Sequence, residues 1–167
     1  MVDASLQVLL DKQALDELIS TQALAVDKRD WATYRSCFAD TVNFDFSEHV
    51  ERLVGKGIGS ATDPDKWVAD VKSVIPGFDA TMHAVTNAVH KVQGDASQSE
   101  CYVVAEHFLN NDGGDRSITA SGIYTFGSVR TPQGWKLKTW RLKVLYYRGN
   151  PSLYMRAAEK VRAGLAR

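Results

Sequence analysis

Apolar residues recur in helical steps over the first 39 positions. Leu15, Leu18, Ile19, Leu24 and Ala25, then Trp31, Tyr34 and Phe38, follow i, i+3, i+4 spacing, the mark of one buried helix face. The polar run Lys28-Arg29-Asp30 interrupts the pattern, and the Asp30 carboxylate is a suitable N-cap for a helix starting at Trp31. Two helices are therefore predicted within Ser5–Ala39. Strict alternation follows at Thr41–Ser47, with Val42, Phe44 and Phe46 opposite Asn43, Asp45 and Ser47, a half-buried strand. Gly55, Gly57, Gly59 and Pro64 mark a loop over 55–64. Asp63 or Asp65 then caps a helix through Trp67, Val68, Val71 and Val74, which Pro76-Gly77 ends.

From Thr81 the period changes to two. Thr81–Gln93, Gln98–Leu109, Ser117–Val129 and Trp135–Tyr147 read as long strands, each closed by turn formers at hairpin spacing. A last helix over about Ser152–Leu165 carries Leu153, Ala157, Val161 and Leu165 on one stripe. Helices set to one side of an antiparallel sheet define an α+β fold. Long strands twist, so the sheet can curve around a pocket against the N-terminal helices.

At 167 residues the chain fits one domain over 1–167, with a core at about 10–150 and a helical extension at about 152–165. Lys and Arg total 20 against 20 Asp and Glu, and this neutral balance argues against a nucleic-acid partner. No apolar run approaches the roughly 18 residues of a membrane span. The N-terminal stretch lacks the basic start and apolar core of a signal peptide, so a cytoplasmic location is expected. Cys37 and Cys101 sit in apolar runs and read as buried, reduced thiols. The glycines at 55, 57 and 59 do not open a helix after a strand, no His/Cys spacing matches a zinc site, and no Gly-x-Ser-x-Gly elbow occurs. Neither a metal nor a cofactor is expected.

The chemistry then falls to histidines and carboxylates. His83 alternates with Val85, Asn87 and Val89 on one face of its strand, with His90 opposite. A strand histidine of this kind is structural, exposed or a base; periodicity alone does not choose. Asp27 ends the apolar run Ala23-Leu24-Ala25-Val26, and either points inward or pairs with Lys28 and Arg29. His49 lies in a polar stretch and reads as solvated. Glu106 shares a face with Tyr102, Val104 and Phe108, and His107 takes the other.

Val26-Asp27-Lys28-Arg29-Asp30-Trp31, Tyr34 through Asp40, Met82-His83-Ala84-Val85-Thr86-Asn87, Gly122-Ile123-Tyr124 and Gly134-Trp135-Lys136-Leu137 occur in an order that resembles the SnoaL-like, dehydratase-like branch of the nuclear-transport-factor-2-like superfamily. The resemblance implies a cone: a strongly curved mixed sheet packed against three helices of the N-terminal half, with the C-terminal helix as an addition. It implies a base dyad on Asp27 and His83, with polar support from Glu106, Arg141, Asn87 and Tyr124. It implies a pocket lined by Tyr34, Phe46, Val85, Tyr102 and Trp140. Trp140 and Arg141 point oppositely on a regular strand, and either is a lining candidate. Dehydratases of the branch have a tyrosine on the first strand where this chain has Phe46, and dehydrochlorinating members have a lysine where it has Gln22.

The activity implied is cofactor-independent elimination or isomerisation of a small, mostly apolar aromatic or alicyclic ligand, in a homodimer or homotrimer. The competing expectations on the same fold are a non-catalytic ligand-binding protein and an accessory subunit for assembly. The dyad requires Asp27 and His83 within roughly 2.6–3.2 Å of each other.

Overall fold

A computed structural model describes residues 3–54 and 60–166. The chain runs α1 (Ala4–Lys28), α2 (Trp31–Ser36), β1 (Phe38–Asp45), α3 (Ser47–Val54), β2 (Ser60–Ala61), α4 (Pro64–Lys72), a 3-10 turn (Ile75–Gly77), β3 (Ala80–Gln93), β4 (Ala96–Phe108), β5 (Ser117–Thr131), β6 (Gly134–Gly149) and α5 (Leu153–Arg162). The loop expected over 55–64 falls partly outside the described residues; its end is β2 and the start of α4. Helix α3 was not foreshadowed by the apolar pattern. It is only eight residues long, with Glu48 and Arg52 paired across one turn at 2.7 Å. No helix among the described residues is long and apolar enough to cross a membrane.

The strands form one six-stranded sheet in the order β2-β1-β6-β5-β4-β3. Neighbours β3 to β6 are antiparallel hairpins, as their turn spacing predicts. β1 is parallel to β6, because α3, α4 and β3–β5 intervene, so the sheet is mixed. Register shifts at Thr86/Val89, Ser121/Gly122 and Gly127/Ser128 mark bulges, which sharpen the twist and bend the sheet.

Helix α1 lies across the concave face and is held there by three of its carboxylates. Near its start, buried Asp11 accepts two bonds from Arg130 at 2.8 and 2.7 Å and one from the Trp135 indole at 3.2 Å. The Arg130 bonds lower the Asp11 carboxyl to about 2 against the cost of burial. Asp16 meets His90 Nε2 at 2.9 Å. Asp27 meets β3.

The helix ends where Arg29 adopts a left-handed φ of 58°. A non-glycine residue there is strained. Its guanidinium offsets the strain by donating to Thr81 Oγ1 at 3.1 Å, to the carbonyls of Ile75 and Phe78 at 3.3 and 3.2 Å, and to the Asp27 carbonyl. Asp30 caps α2 as expected, accepting from the Thr33 N–H at 3.0 Å, and Asp63 rather than Asp65 caps α4.

Aromatic rings fill the space between the sheet and α2–α4. Phe44 stacks on Trp67 at 4.4 Å, and Trp140 packs edge-on against Phe46 and Tyr124, each at 5.0 Å. Cys37 and Cys101 are free and buried, with thiols pushed up by burial to about 11 and about 12. At the open end α5 packs on the 3-10 turn. A Cβ on Gly77 would stand 2.0 Å from the Ala157 carbonyl oxygen. Gly77→Ala is expected to cost roughly 1–3 kcal/mol by forcing α5 off the turn. A fall in urea midpoint with an unchanged slope would show it.

Candidate active site

The sheet, α1, α3, α4 and α5 enclose a cavity of about 560 Å³. One edge of it is the free side of β3. That strand bonds β4 along one side only, so its outward N–H groups need other acceptors. At His83 the acceptor is Asp27. The His83 backbone N–H donates to Asp27 Oδ2 at 2.7 Å, and His83 Nδ1 lies 2.7 Å from Asp27 Oδ1. The Thr81 hydroxyl donates to the same Oδ1 at 2.8 Å while accepting from Arg29.

Burial raises the Asp27 carboxyl. The hydrogen bond and charge of His83, its backbone N–H and the Thr81 hydroxyl together outweigh burial, so the group lies below its usual value and is ionised at neutral pH. An ionised carboxylate only accepts, so Nδ1 of His83 carries hydrogen and Nε2 is the remaining ring nitrogen. His83 lines the cavity, and Asp27 stands behind it. The required Asp27–His83 contact is present.

Two further histidines share the cavity. His49 is half-buried rather than solvated, because α3 turns it inward. Its Nδ1 is 2.9 Å from the Tyr147 hydroxyl. Burial first, then the charge of His83, lowers it to about 4. His107 is buried with its ring 5.3 Å from that of His83 and its Nδ1 3.2 Å from the Tyr154 hydroxyl. Burial, with the charges of His83 and His49, lowers it well below the usual histidine range. Tyr34, Tyr124 and Tyr154 also line the wall, with phenols raised by burial. Among the described residues no three His, Cys, Asp or Glu side chains are grouped as metal ligands.

Of the lining residues expected from sequence, Tyr34, Phe46, Tyr124 and Trp140 face the cavity. The others do not. Glu106 and Tyr102 sit on the convex face, because β4 turns Cys101, Val103, Ala105 and His107 inward. Arg141 likewise faces out and pairs with Asp45 at 3.4 Å, leaving Trp140 inward. Asn87 is exposed at the β3 bulge, with φ 60°. That extra residue reverses the alternation, so His90 joins the inner side and Val89 becomes exposed. Val85 packs into the core beside the cavity without lining it.

Known proteins agree with this architecture. The chain belongs to the SnoaL-like domain family, which its residues 7–141 match. The solved structure of the Kfla4162 protein from Kribbella flavida is similar at a TM-score of 0.78 and 26% identity, over 89% of this chain and 99% of that one. Hexachlorocyclohexane dehydrochlorinase LinA-type3 from Novosphingobium barchaimii superposes at 0.72 with 23% identity, over 88% and 94%. A protein provisionally assigned as a scytalone dehydratase, from Novosphingobium aromaticivorans, superposes at 0.70 with 16% identity, over 85% and 89%. At those identities the last two show a shared fold. No curated protein matches the chain.

The neutral histidines set a pH dependence. In the unfolded chain a histidine binds its proton near pH 6.5. In the fold His49 stays neutral down to about 4, and His107 titrates below its usual range too. The unfolded state therefore binds more protons as pH falls below 6.5, and stability declines by about 1.4 kcal/mol per pH unit for each such histidine. Urea midpoints are expected to drop between pH 7 and pH 5, and His107→Gln to flatten that slope.

Proposed function

We propose that the Asp27–His83 pair is the general base of a cofactor-independent lyase or isomerase acting on a small, mostly apolar cyclic molecule. The observation that carries this reading is the three-point hold on Asp27, which fixes the His83 tautomer and points one ring nitrogen at an aromatic-lined cavity. Nε2 removes a proton from carbon beside a carbonyl or a leaving group. The imidazolium so formed faces the Asp27 carboxylate at hydrogen-bond distance, where the Coulomb attraction is screened less than in water. In a dehydration the C–O bond breaks and the proton returns to the departing hydroxide as water. In an isomerisation it returns to a different carbon. Asp27 is a positioning residue here, because His83 stands between it and the cavity.

The test is turnover of cyclic β-hydroxy ketones and β,γ-unsaturated ketones by the purified protein with nothing added. Where a compound reacts, His83→Ala is expected to cost about 10²–10⁴-fold in kcat. Asp27→Asn is expected to lower kcat with little change in KM. Undiminished turnover in His83→Ala would remove the base. Binding without turnover across the panel would favour the ligand-binding reading.

We also propose a homodimer or homotrimer built on the convex sheet face. Met82, Tyr102, Val104 and Tyr146 lie exposed there on adjoining strands, an apolar surface of the kind that marks an interface. Sedimentation is expected to show species of two or three chains, and an 18.5 kDa particle alone at high concentration would contradict it.

A further inference from the structure

The cavity wall holds two hydrogen-bond donor groups that the fold leaves unmatched. Gln22 on α1 and Trp140 on β6 both line it and are 1% and 3% exposed. Among the described residues nothing accepts from Gln22 Nε2 or Trp140 Nε1. Neighbouring indoles are matched: Trp67 Nε1 donates to the Tyr34 hydroxyl at 3.0 Å, and Trp135 Nε1 to Asp11 at 3.2 Å. The other unmatched buried groups, the hydroxyls of Ser97 and Ser128, lie away from the cavity.

A buried donor without an acceptor destabilises the fold that holds it. An indole N–H can only donate, so Trp140 requires an acceptor. Both donors are uncharged. Trp140 is surrounded by rings, with Phe46 and Tyr124 each 5.0 Å away and Phe38 at 6.0 Å. A carboxylate or phosphate placed there would lose its hydration with no cation beside it, since the lining cation, Arg162, is exposed at the surface.

We infer that the ligand of this cavity carries uncharged oxygen, of the ketone or hydroxyl class, that accepts hydrogen bonds from Trp140 Nε1 and Gln22 Nε2. This rests on the reading of the cavity as a reaction site and names the chemistry of what enters it. The oxygen is anchored on the two buried donors. The carbon skeleton then lies in the remaining space, toward His83, whose side chain is 12% exposed. Tyr124 lines the same cavity. Among the described residues both donors lack an acceptor, and a ligand oxygen at hydrogen-bond distance supplies one. A ligand oxygen gains those bonds, whereas a hydrocarbon of similar shape leaves the donors bare.

The test uses three bicyclic probes of similar size: 1-tetralone with a neutral carbonyl, tetralin with none, and 1-naphthoate with a charge. Tryptophan fluorescence titration of the wild-type protein is expected to show 1-tetralone bound about 3- to 10-fold more tightly than tetralin, the effect of one or two neutral hydrogen bonds. 1-Naphthoate is expected to be the weakest. Trp140→Phe and Gln22→Leu should each cut the tetralone preference, with tetralin affinity held within about twofold. The Trp140 indole N–H resonance, assigned in the wild-type protein by its nuclear Overhauser contacts to the neighbouring Phe46 and Tyr124 rings, should move downfield with 1-tetralone and not with tetralin. That reading needs no variant to fold.

Equal affinity for tetralone and tetralin, binding of neither, an undiminished preference in both variants, or a preference for naphthoate would each overturn the inference. His83→Asn separates the two readings. It should abolish turnover and keep the tetralone preference. An undiminished tetralone preference in both Trp140→Phe and Gln22→Leu, with turnover lost in His83→Asn, would sink the oxygen anchor alone.

Discussion

The contact on which the rest of the molecule depends is the meeting of one carboxylate with one unpaired strand edge. β3 ends the sheet, and the backbone N–H of His83 has no strand beyond it. Asp27 takes that N–H, the imidazole of the same residue and the Thr81 hydroxyl. Hydrogen bonds to a charged acceptor are worth about 1.5–3 kcal/mol each. This contact closes the cone by fastening the C-terminal end of α1 to the sheet, and it orients the ring that faces the cavity. A change at Asp27 would therefore loosen the fold and unseat His83 together. Arg29 adds to the same joint, because its strained backbone is held by bonds to the 3-10 turn and to Thr81.

The cavity that results is largely apolar, with Asp70 and Arg162 the charged side chains that line it besides this joint. The rings of Phe46, Trp67, Tyr124 and Trp140 make its walls, while His49 and His107 are kept neutral by burial. Each neutral histidine is bonded to a tyrosine hydroxyl, which limits the cost of burying it. Asp27 holds His83 at hydrogen-bond distance, and the Arg29 guanidinium shares the joint through Thr81. Local charge and local shape act in the same direction here.

Much of the architecture was legible in the sequence. The helical face of α1, its break before Asp30 and the four long hairpin strands all follow from period and capping chemistry. What was hidden depended on single residues that change parity or on partners far away. Asn87 reads as an ordinary strand position, yet its positive φ adds a residue to β3 and moves His90 to the inner face. Glu106 was the more chemical-looking neighbour, but the small and apolar series Cys101, Val103 and Ala105 places His107 inward instead. That signal was present, and the polar side chain outweighed it. His49 was hidden for a different reason: α3 is too short to declare itself, and Tyr147 and Tyr154, far along the chain, give it an interior. The parallel pairing of β1 with β6 joins segments almost a hundred residues apart, and no local pattern encodes it.

The state of the phenols and histidines in the walls constrains the proposed chemistry further. After His83 takes a proton, some group must give one back. The phenols of Tyr34, Tyr124 and Tyr154 are weakened as acids by burial, and the buried histidines carry no spare proton at neutral pH. The proton at hand at that moment is the one His83 has taken. One ring nitrogen then both removes and returns the proton, so departure and return occur on the same face of the ligand. A leaving group on the opposite face would have to depart unprotonated, which suits a good leaving group and penalises hydroxide. On this argument the position of a single nitrogen, set by Asp27 at the sheet edge, determines both which hydrogen is taken and where it goes.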